Sequence, residues 1–253
     1  MIGDRDLLGF RQGYYELFVS LLWKEPTGEL LAALTEGIEE RIKGARNLHP
    51  LLGEGWEEIG RFLDGVAAES LADTVADEYT RLFIGPREPE VTPYESFYLT
   101  GRLLDRPLAV VRAFLNEIGL EKQEGYSEPE DFLAFELEVI RRLIHRQQSA
   151  ADPDGEVRWL NSQGRFLKEH LLVWGPAVAR DLAGARGAVF YRGVAKLLQG
   201  FLELERDLFK SWGEEPIKSL DEARRSFARS GEWKGPLFDL SEGPAADKGG
   251  PDS

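Results

Sequence analysis

Apolar residues recur three and four positions apart along most of the chain, and this spacing leaves little room for anything but packed α-helices. The first such stripe is Leu7, Phe10, Tyr14, Leu17, Phe18 and Leu21; the last long one is Phe190, Val194, Leu197, Phe201, Leu204 and Leu208. Residues so spaced share one face of a helix and must be covered by another element. No run of four to eight residues alternates apolar with polar and is rich in β-branched side chains, so no strand is expected. The pattern predicts an all-α protein, a single-domain bundle of roughly eight to ten helices. A chain of 253 residues is long enough to bury a substantial core. Residues 1–213 are expected to form the helical body and 214–253 an acidic, largely irregular tail.

Local punctuation divides the stripes. Pro26 ends the first helix, and Thr27 caps a second, with Gly28 at its first position, running through Ile42. Gly44 to Gly55, with Asn47, Pro50 and several glycines, predicts a loop before a short helix over Trp56 to Leu63. Asp105 caps a helix with Pro107 in its first turn, closed by Gly119. The stripe Leu160, Leu167, Leu171, Trp174, Val178, Leu182 contains Gly175-Pro176, which predicts a kink. A short helix is expected near Leu220 to Ala228, and the last dozen residues read as disordered.

Two junctions carry more information. In the first, the helix bearing Leu71, Val75, Tyr79, Leu82 and Phe83 is stopped at Gly85-Pro86. A loop stiffened by Pro86, Pro89 and Pro93 leads to Thr92-Pro93-Tyr94-Glu95, a capping box with Thr92 at the N-cap and Glu95 at N3. Tyr94, Phe97 and Tyr98 then fall on the first turn of a new helix, with Tyr94 and Tyr98 tending to the surface. The second junction, Ser127-Glu128-Pro129-Glu130, repeats the device, followed by Asp131 and Phe132. The two helix starts are expected to lie together as opposite walls of one groove.

Most catalytic constellations cannot be built from this composition. Cysteine is absent, which excludes disulfides and thiolate sites, and the three histidines, His49, His145 and His170, show no metal-ligand spacing. No phosphate loop, dinucleotide fingerprint or nucleophile elbow occurs. Glu95 is accounted for by its capping position, and His170, beside an apolar stripe, reads as a hydrogen-bonded packing histidine. With 45 acidic against 31 basic residues, the net charge of -14 disfavours nucleic acid and anionic membranes and favours a basic partner or simple solubility. No apolar stretch is long enough for stable membrane insertion, and the N-terminus lacks a basic region leading into an apolar one, so a cytoplasmic location is expected.

Four motifs in register, Tyr79-x-x-Leu82-Phe83-x-Gly85, Pro93-Tyr94-Glu95-Ser96-x-Tyr98, Glu128-Pro129-Glu130-Asp131-Phe132 and the Phe166 to Trp174 run around His170-Leu171, resemble the TorD/DmsD/NarJ family of molybdoenzyme maturation chaperones over about residues 5 to 212. The resemblance implies a non-enzymatic chaperone, with no cofactor of its own, acting as monomer or homodimer. Its partner would be the N-terminal, twin-arginine-type signal region, and the apo form, of a molybdopterin oxidoreductase catalytic subunit. It places the peptide-binding surface on Tyr79, Leu82, Phe83, Pro93, Tyr98, Pro129 and Asp131, with Tyr94, Glu95, Ser96, Glu128 and Phe132 around them. Phe132 stands where family members commonly have histidine. Glu95, Glu128, Glu130 and Asp131 would orient a basic segment, although acids at helix starts are also favoured by the helix dipole. A helical enzyme with an unrecognised carboxylate site, and a scaffold or docking subunit, remain the alternatives.

Overall fold

Asp4, whose carboxylate accepts the Leu7 amide at 3.0 Å, starts the first helix, α1 (Arg5–Leu22). The computed structural model describes residues 4–85, 87–210 and 216–229. The helices that follow are α2 (Gly28–Thr35), α3 (Ile38–Leu48), α4 (Pro50–Gly65), α5 (Ala68–Tyr79), α6 (Glu95–Thr100), α7 (Arg106–Glu117), α8 (Leu133–Gln148), α9 (Pro153–Phe166), α10 (Leu172–Gly184), α11 (Phe190–Phe209) and α12 (Leu220–Arg229). Two π-helical turns, Thr80–Ile84 and Leu167–Leu171, extend α5 and join α9 to α10. Among the described residues there is no strand, only one isolated antiparallel bridge. The all-α expectation holds.

The single helix expected from Thr27 to Ile42 is two, because Gly37 adopts a left-handed conformation (φ 68°) that breaks the hydrogen-bond ladder between α2 and α3. The loop expected from Gly44 to Gly55 is also overturned. It is helical on both sides of His49, whose ring Nδ1 accepts the Leu51 amide while Pro50 takes the first helical position, where its missing N–H costs nothing. Gly53 and Gly55 serve packing instead. A Cβ on Gly55 would come 2.8 Å from both the Gly193 carbonyl oxygen and the Leu197 amide nitrogen, so α4 and α11 touch backbone to backbone there. At Gly175-Pro176, where a kink is expected, α10 runs on without a break, and the irregular turn, Leu167–Leu171, lies upstream. Pro176 sits inside α10, and the Leu172 carbonyl, which a proline cannot serve, receives Arg206 Nη2 instead at 3.4 Å.

The central element is α11, packed between α4 and α10, with α1 and α8 forming the adjoining layer and α9 behind α8. Phe190, Tyr191, Val194, Leu197, Phe201 and Phe209 along it are all completely buried. In α1 the buried face is rotated from the apolar stripe. Leu8, Arg11, Tyr15 and Phe18 point inward, while Leu7, Phe10, Tyr14 and Leu17 are half-buried. The rotation follows from Arg11, which is 2% exposed and forms a bidentate pair with Glu205 of α11. One small satellite cluster, Leu99, Val173 and Ala223, lies apart from the main core and holds α12 against α6 and α10. No described helix is long and apolar enough to cross a membrane. The irregularity expected of the final residues falls on positions 230–253, outside the described residues.

Candidate functional site

Gly85 closes the first π-helical turn with φ 66°, a conformation in which a side chain would overlap the Glu88 carbonyl. The chain then doubles back, the Val91 amide donating to the Leu82 carbonyl at 3.0 Å. This brings Pro93 and Tyr94 alongside Asp131 and Phe132. The Leu133 amide donates to the Pro93 carbonyl and the Glu95 amide to the Asp131 carbonyl, each at 2.9 Å, forming the isolated antiparallel bridge between Tyr94 and Phe132. Asp131 Oδ2 also accepts the Ser96 amide at 2.9 Å.

Neither capping box forms. The N-cap of α6 is Tyr94, not Thr92, and that of α8 is Phe132, not Ser127; neither makes a side-chain cap bond. A capping box satisfies orphan amides within four residues. Here the first amides of α6 are satisfied across 35 residues by Asp131, which releases the Glu95 side chain to turn inward.

The structure therefore brings the sequence-predicted residues together, but mostly as an interior. Leu82, Ser96 and Asp131 are fully buried, and Glu95 is 1% exposed. Tyr79, Pro93, Tyr98 and Phe132 are also buried, so Tyr98 is not the surface residue expected. Phe83, Tyr94, Glu128 and Pro129 are half-buried, and Phe97, at 40%, is the ring that faces solvent. Phe83 leans on Tyr79 and on Tyr191, with ring centroids 4.9 and 5.3 Å apart. Instead of a groove with two walls, the junctions form one crossed support, tied by the Tyr94–Phe132 ring contact at 5.3 Å.

The opening lies beside this support. The Tyr94 hydroxyl donates to Glu128 Oε2 at 2.6 Å, and burial followed by that hydrogen bond pushes its pKa up. Burial and then the charges of Glu128 and Glu25 raise Tyr79 to about 12; burial, Glu128 and Tyr79 also push Tyr126 upward. These tyrosines thus share one acidic neighbourhood. Tyr126 stacks on Trp23 at 4.1 Å and on Phe135 at 5.9 Å, at the rim of a cleft of about 790 Å³ between α1, α8 and segment 120–126. Val19, Leu115, Leu120 and Val139 also line it, and its charged lining is balanced, Glu16, Glu121, Glu124 and Glu138 against Lys24, Lys122, Arg141 and Arg142. Sequence reasoning missed this cleft. The available signal was a tryptophan at a helix end and a tyrosine after Gly125, two aromatic side chains at loop boundaries. Glu130 is removed from any role in it by Arg112: burial pushes its carboxyl up, and the 2.9 Å bond from Arg112 Nε outweighs this and holds it below the usual range.

Beneath the support runs a buried polar chain. His170 Nδ1 lies 3.0 Å from Glu95 Oε2, so this histidine is hydrogen-bonded and packed, against the Phe166 ring at 4.9 Å. Trp174 Nε1 donates to Glu136 Oε2 at 3.0 Å. Burial first, and the Glu95 charge second, push Glu136 well above its ordinary value of 4.5. The unfolded chain ionises this group near 4.5 while the folded chain keeps its proton, so its contribution is complete below 4.5 and is lost as pH rises toward the folded value, at up to about 1.4 kcal/mol per pH unit. Glu136→Gln, a neutral isostere that still accepts from Trp174, is expected to remove this alkaline decline. Urea unfolding of both proteins at pH 5 and pH 8 checks it, and an identical pH dependence in the two contradicts it. Among the described residues no group of three His, Asp or Glu side chains is arranged to hold a metal ion.

The all-helical body thus carries an aromatic cleft of mixed charge next to a crossing of buried carboxyls. The chain belongs to the nitrate reductase delta subunit family, which matches residues 46–180 and so takes in both crossing junctions and His170. It is similar to the chaperone protein TorD of Actinobacillus pleuropneumoniae serotype 7 (strain AP76), with 28% identity over 193 residues, 75% of this chain and 90% of that one. With TorD of Aeromonas salmonicida (strain A449) it shares 30% identity over 158 residues, 62% of this chain and 70% of the other. With TorD of Photobacterium profundum it shares 27% over 133 residues, 52% and 62% of the two chains.

Proposed function

We propose that this protein is a molybdoenzyme maturation chaperone, not an enzyme, that binds the N-terminal, twin-arginine-type signal region of a molybdopterin oxidoreductase catalytic subunit and holds the apo form during cofactor insertion, assembly and export timing. The observation that carries the reading is the cleft at Trp23 and Tyr126, apolar in its walls, with Glu16, Glu121, Glu124 and Glu138 facing Lys24, Lys122, Arg141 and Arg142 at its rim, and with the Tyr94–Glu128 pair nearby. A twin-arginine signal presents positive charge followed by an apolar stretch. Burial of that stretch contributes affinity at about 25 cal/mol per Å² of apolar surface, and the carboxylates among the rim charges contribute orientation. The work is cytoplasmic, by residues 1–213 as monomer or homodimer, with 214–253 as an appended segment.

Of the twelve residues implied by the family resemblance, Phe83, Tyr94, Glu128 and Pro129 are open enough to touch a peptide. Leu82, Glu95, Ser96, Asp131 and Phe132 position them. Fluorescence anisotropy with a labelled peptide from the partner's N-terminus tests this. Trp23→Ala and Tyr94→Ala are each expected to weaken binding roughly tenfold, as loss of a central aromatic anchor does. A chaperone that retains the mature partner and ignores its N-terminal peptide would instead be a docking subunit.

A further inference from the structure

The short helix α6 spans only Glu95–Thr100, too few residues to hold a helix by backbone bonds alone. It is held from outside at both ends. At its start the Asp131 carbonyl and carboxylate accept the Glu95 and Ser96 amides, each at 2.9 Å. At its far end Arg224 Nε of α12 donates at 2.8 Å to the carbonyl of Tyr98, in the last turn, where carbonyls have no helical partner and attract positive charge. Tyr98 links the two ends, because its amide donates to the Tyr94 carbonyl at 3.2 Å.

The element that supplies the second hold stands apart from the main core. Ser219 and Glu222 close a capping box at the start of α12, with the Ser219 amide and hydroxyl donating to Glu222 Oε2 at 2.8 and 2.7 Å. Ala223, its one buried residue among those described, joins Leu99 of α6 and Val173 of α10 in the satellite cluster, with half-buried Leu220 and Phe227 against it. Arg106 Nη2 of α7 donates at 2.7 Å to the Phe227 carbonyl, and its guanidinium lies 5.9 Å from the Phe227 ring centroid. Thus α12 ties α6 to α7 and α10 at the end of α6 opposite the Tyr94–Phe132 bridge. The Tyr98 hydroxyl bond to Asp181 at 2.7 Å holds the same residue from below, so loss of Arg224 alone loosens α6 less than loss of the whole contact.

We infer that α12 is a strut for the recognition site, with Arg224 as its positioning residue: it touches no peptide, but by seating α6 it keeps Tyr94 where its hydroxyl reaches Glu128. The inference rests on the signal-binding function proposed above and adds a requirement for residues 216–229, which support the site from outside the residues that meet the peptide. Without the strut the last turn of α6 frays, and the fraction of molecules with Tyr94 in place sets the apparent affinity. The coupling is reciprocal, so a bound signal peptide tightens α12 in turn.

The test uses the full chain, a labelled signal peptide from the partner, and hydrogen exchange. In Ala223→Asp, which sets a carboxylate in the apolar contact, the peptide is expected to bind about tenfold more weakly, and in Arg224→Ala about threefold more weakly. Arg224→Lys keeps a donor for the Tyr98 carbonyl and is expected to recover most of the affinity. Without peptide, the Tyr98 and Gly101 amides of the first two variants are expected to lose protection while those of α11 keep theirs. In the unaltered protein, saturating peptide is expected to raise protection in α12. Because Arg224 is exposed, Arg224→Ala keeps the test valid if Ala223→Asp folds poorly. Equal signal affinity in all four proteins overturns the inference and leaves the proposed function standing. So does a loss of affinity matched by loss of α11 protection, which marks general unfolding. Absence of signal binding to the unaltered protein overturns the proposed function and the requirement built on it.

Discussion

Arg11→Met is expected to lower the unfolding free energy by about 3–5 kcal/mol, the cost of leaving one partner of a buried ion pair alone. Arg11 Nε and Nη2 donate to the two carboxylate oxygens of Glu205 at 2.6 and 2.8 Å, and its Nη1 donates to Gln163 Oε1 at 2.7 Å. Tyr15 adds a bond to Glu205 at 2.7 Å, and Gln163 Nε2 passes the chain on to Gln147 Oε1 at 2.9 Å. The network ties α1, α8, α9 and α11 at one point, with the guanidinium 5.0 Å from the Phe209 ring centroid. Methionine fills most of the space, so the loss comes from a desolvated Glu205 with its main partner gone. Burial opposes the arginine's charge, and Glu205 more than compensates, holding the guanidinium pKa above its ordinary value. Urea denaturation followed by tryptophan fluorescence measures the change. The double variant Arg11→Met/Glu205→Leu is expected to recover most of it, since an apolar pair has no charge to desolvate. A single-variant loss below about 1 kcal/mol would show the pair to be solvated in solution.

The second large effect is expected at Asp131, where stability and peptide binding fall together. Asp131→Ala leaves the Ser96 amide without an acceptor inside the protein, at a cost of about 1–3 kcal/mol. Because that amide and the Glu95 amide beside it hold the crossing of the two junctions, Tyr94 and Glu128 lose their mutual placement. Asp131→Asn separates a positioning role for the carboxylate from a charge contact. The amide oxygen still accepts from Ser96, so a positioning residue keeps most of the affinity for the signal peptide; a charge contact to the peptide's arginines loses it. Complete burial of Asp131 predicts retention, in titrations with the labelled peptide alongside urea unfolding of the same proteins.

Much of the fold was legible because helix periodicity is a local property. The stripes of α1 and α11 each lie within one helix, and Asp105 and Thr27 cap as their side chains allow. Glycine was the weak point. Gly37 and Gly85 act through their backbone, whereas Gly55 and Gly193 serve a helix contact that no neighbouring residue announces. The site was legible in membership more than in exposure. Tyr79, Leu82, Tyr94, Ser96, Tyr98, Asp131 and Phe132 do gather, yet which of them face water was misjudged, and Trp23 and Tyr126 went unremarked.

By itself the sequence determined that the chain is helical, where helices such as α1, α7 and α12 begin and end, and which two junctions meet, since each follows from side chains acting within a turn or two of their own backbone. Only the tertiary structure decided what those junctions do. Asp131 replaces a local cap from 35 residues away, and Glu205 draws Arg11 into the core from 194 residues away, because a buried amide or charge takes whichever partner the packing offers. That choice is made in space, between helices rather than within them, and it sends Glu95 inward, opens the cleft beside Tyr94, and seats α12 on the far end of the same short helix.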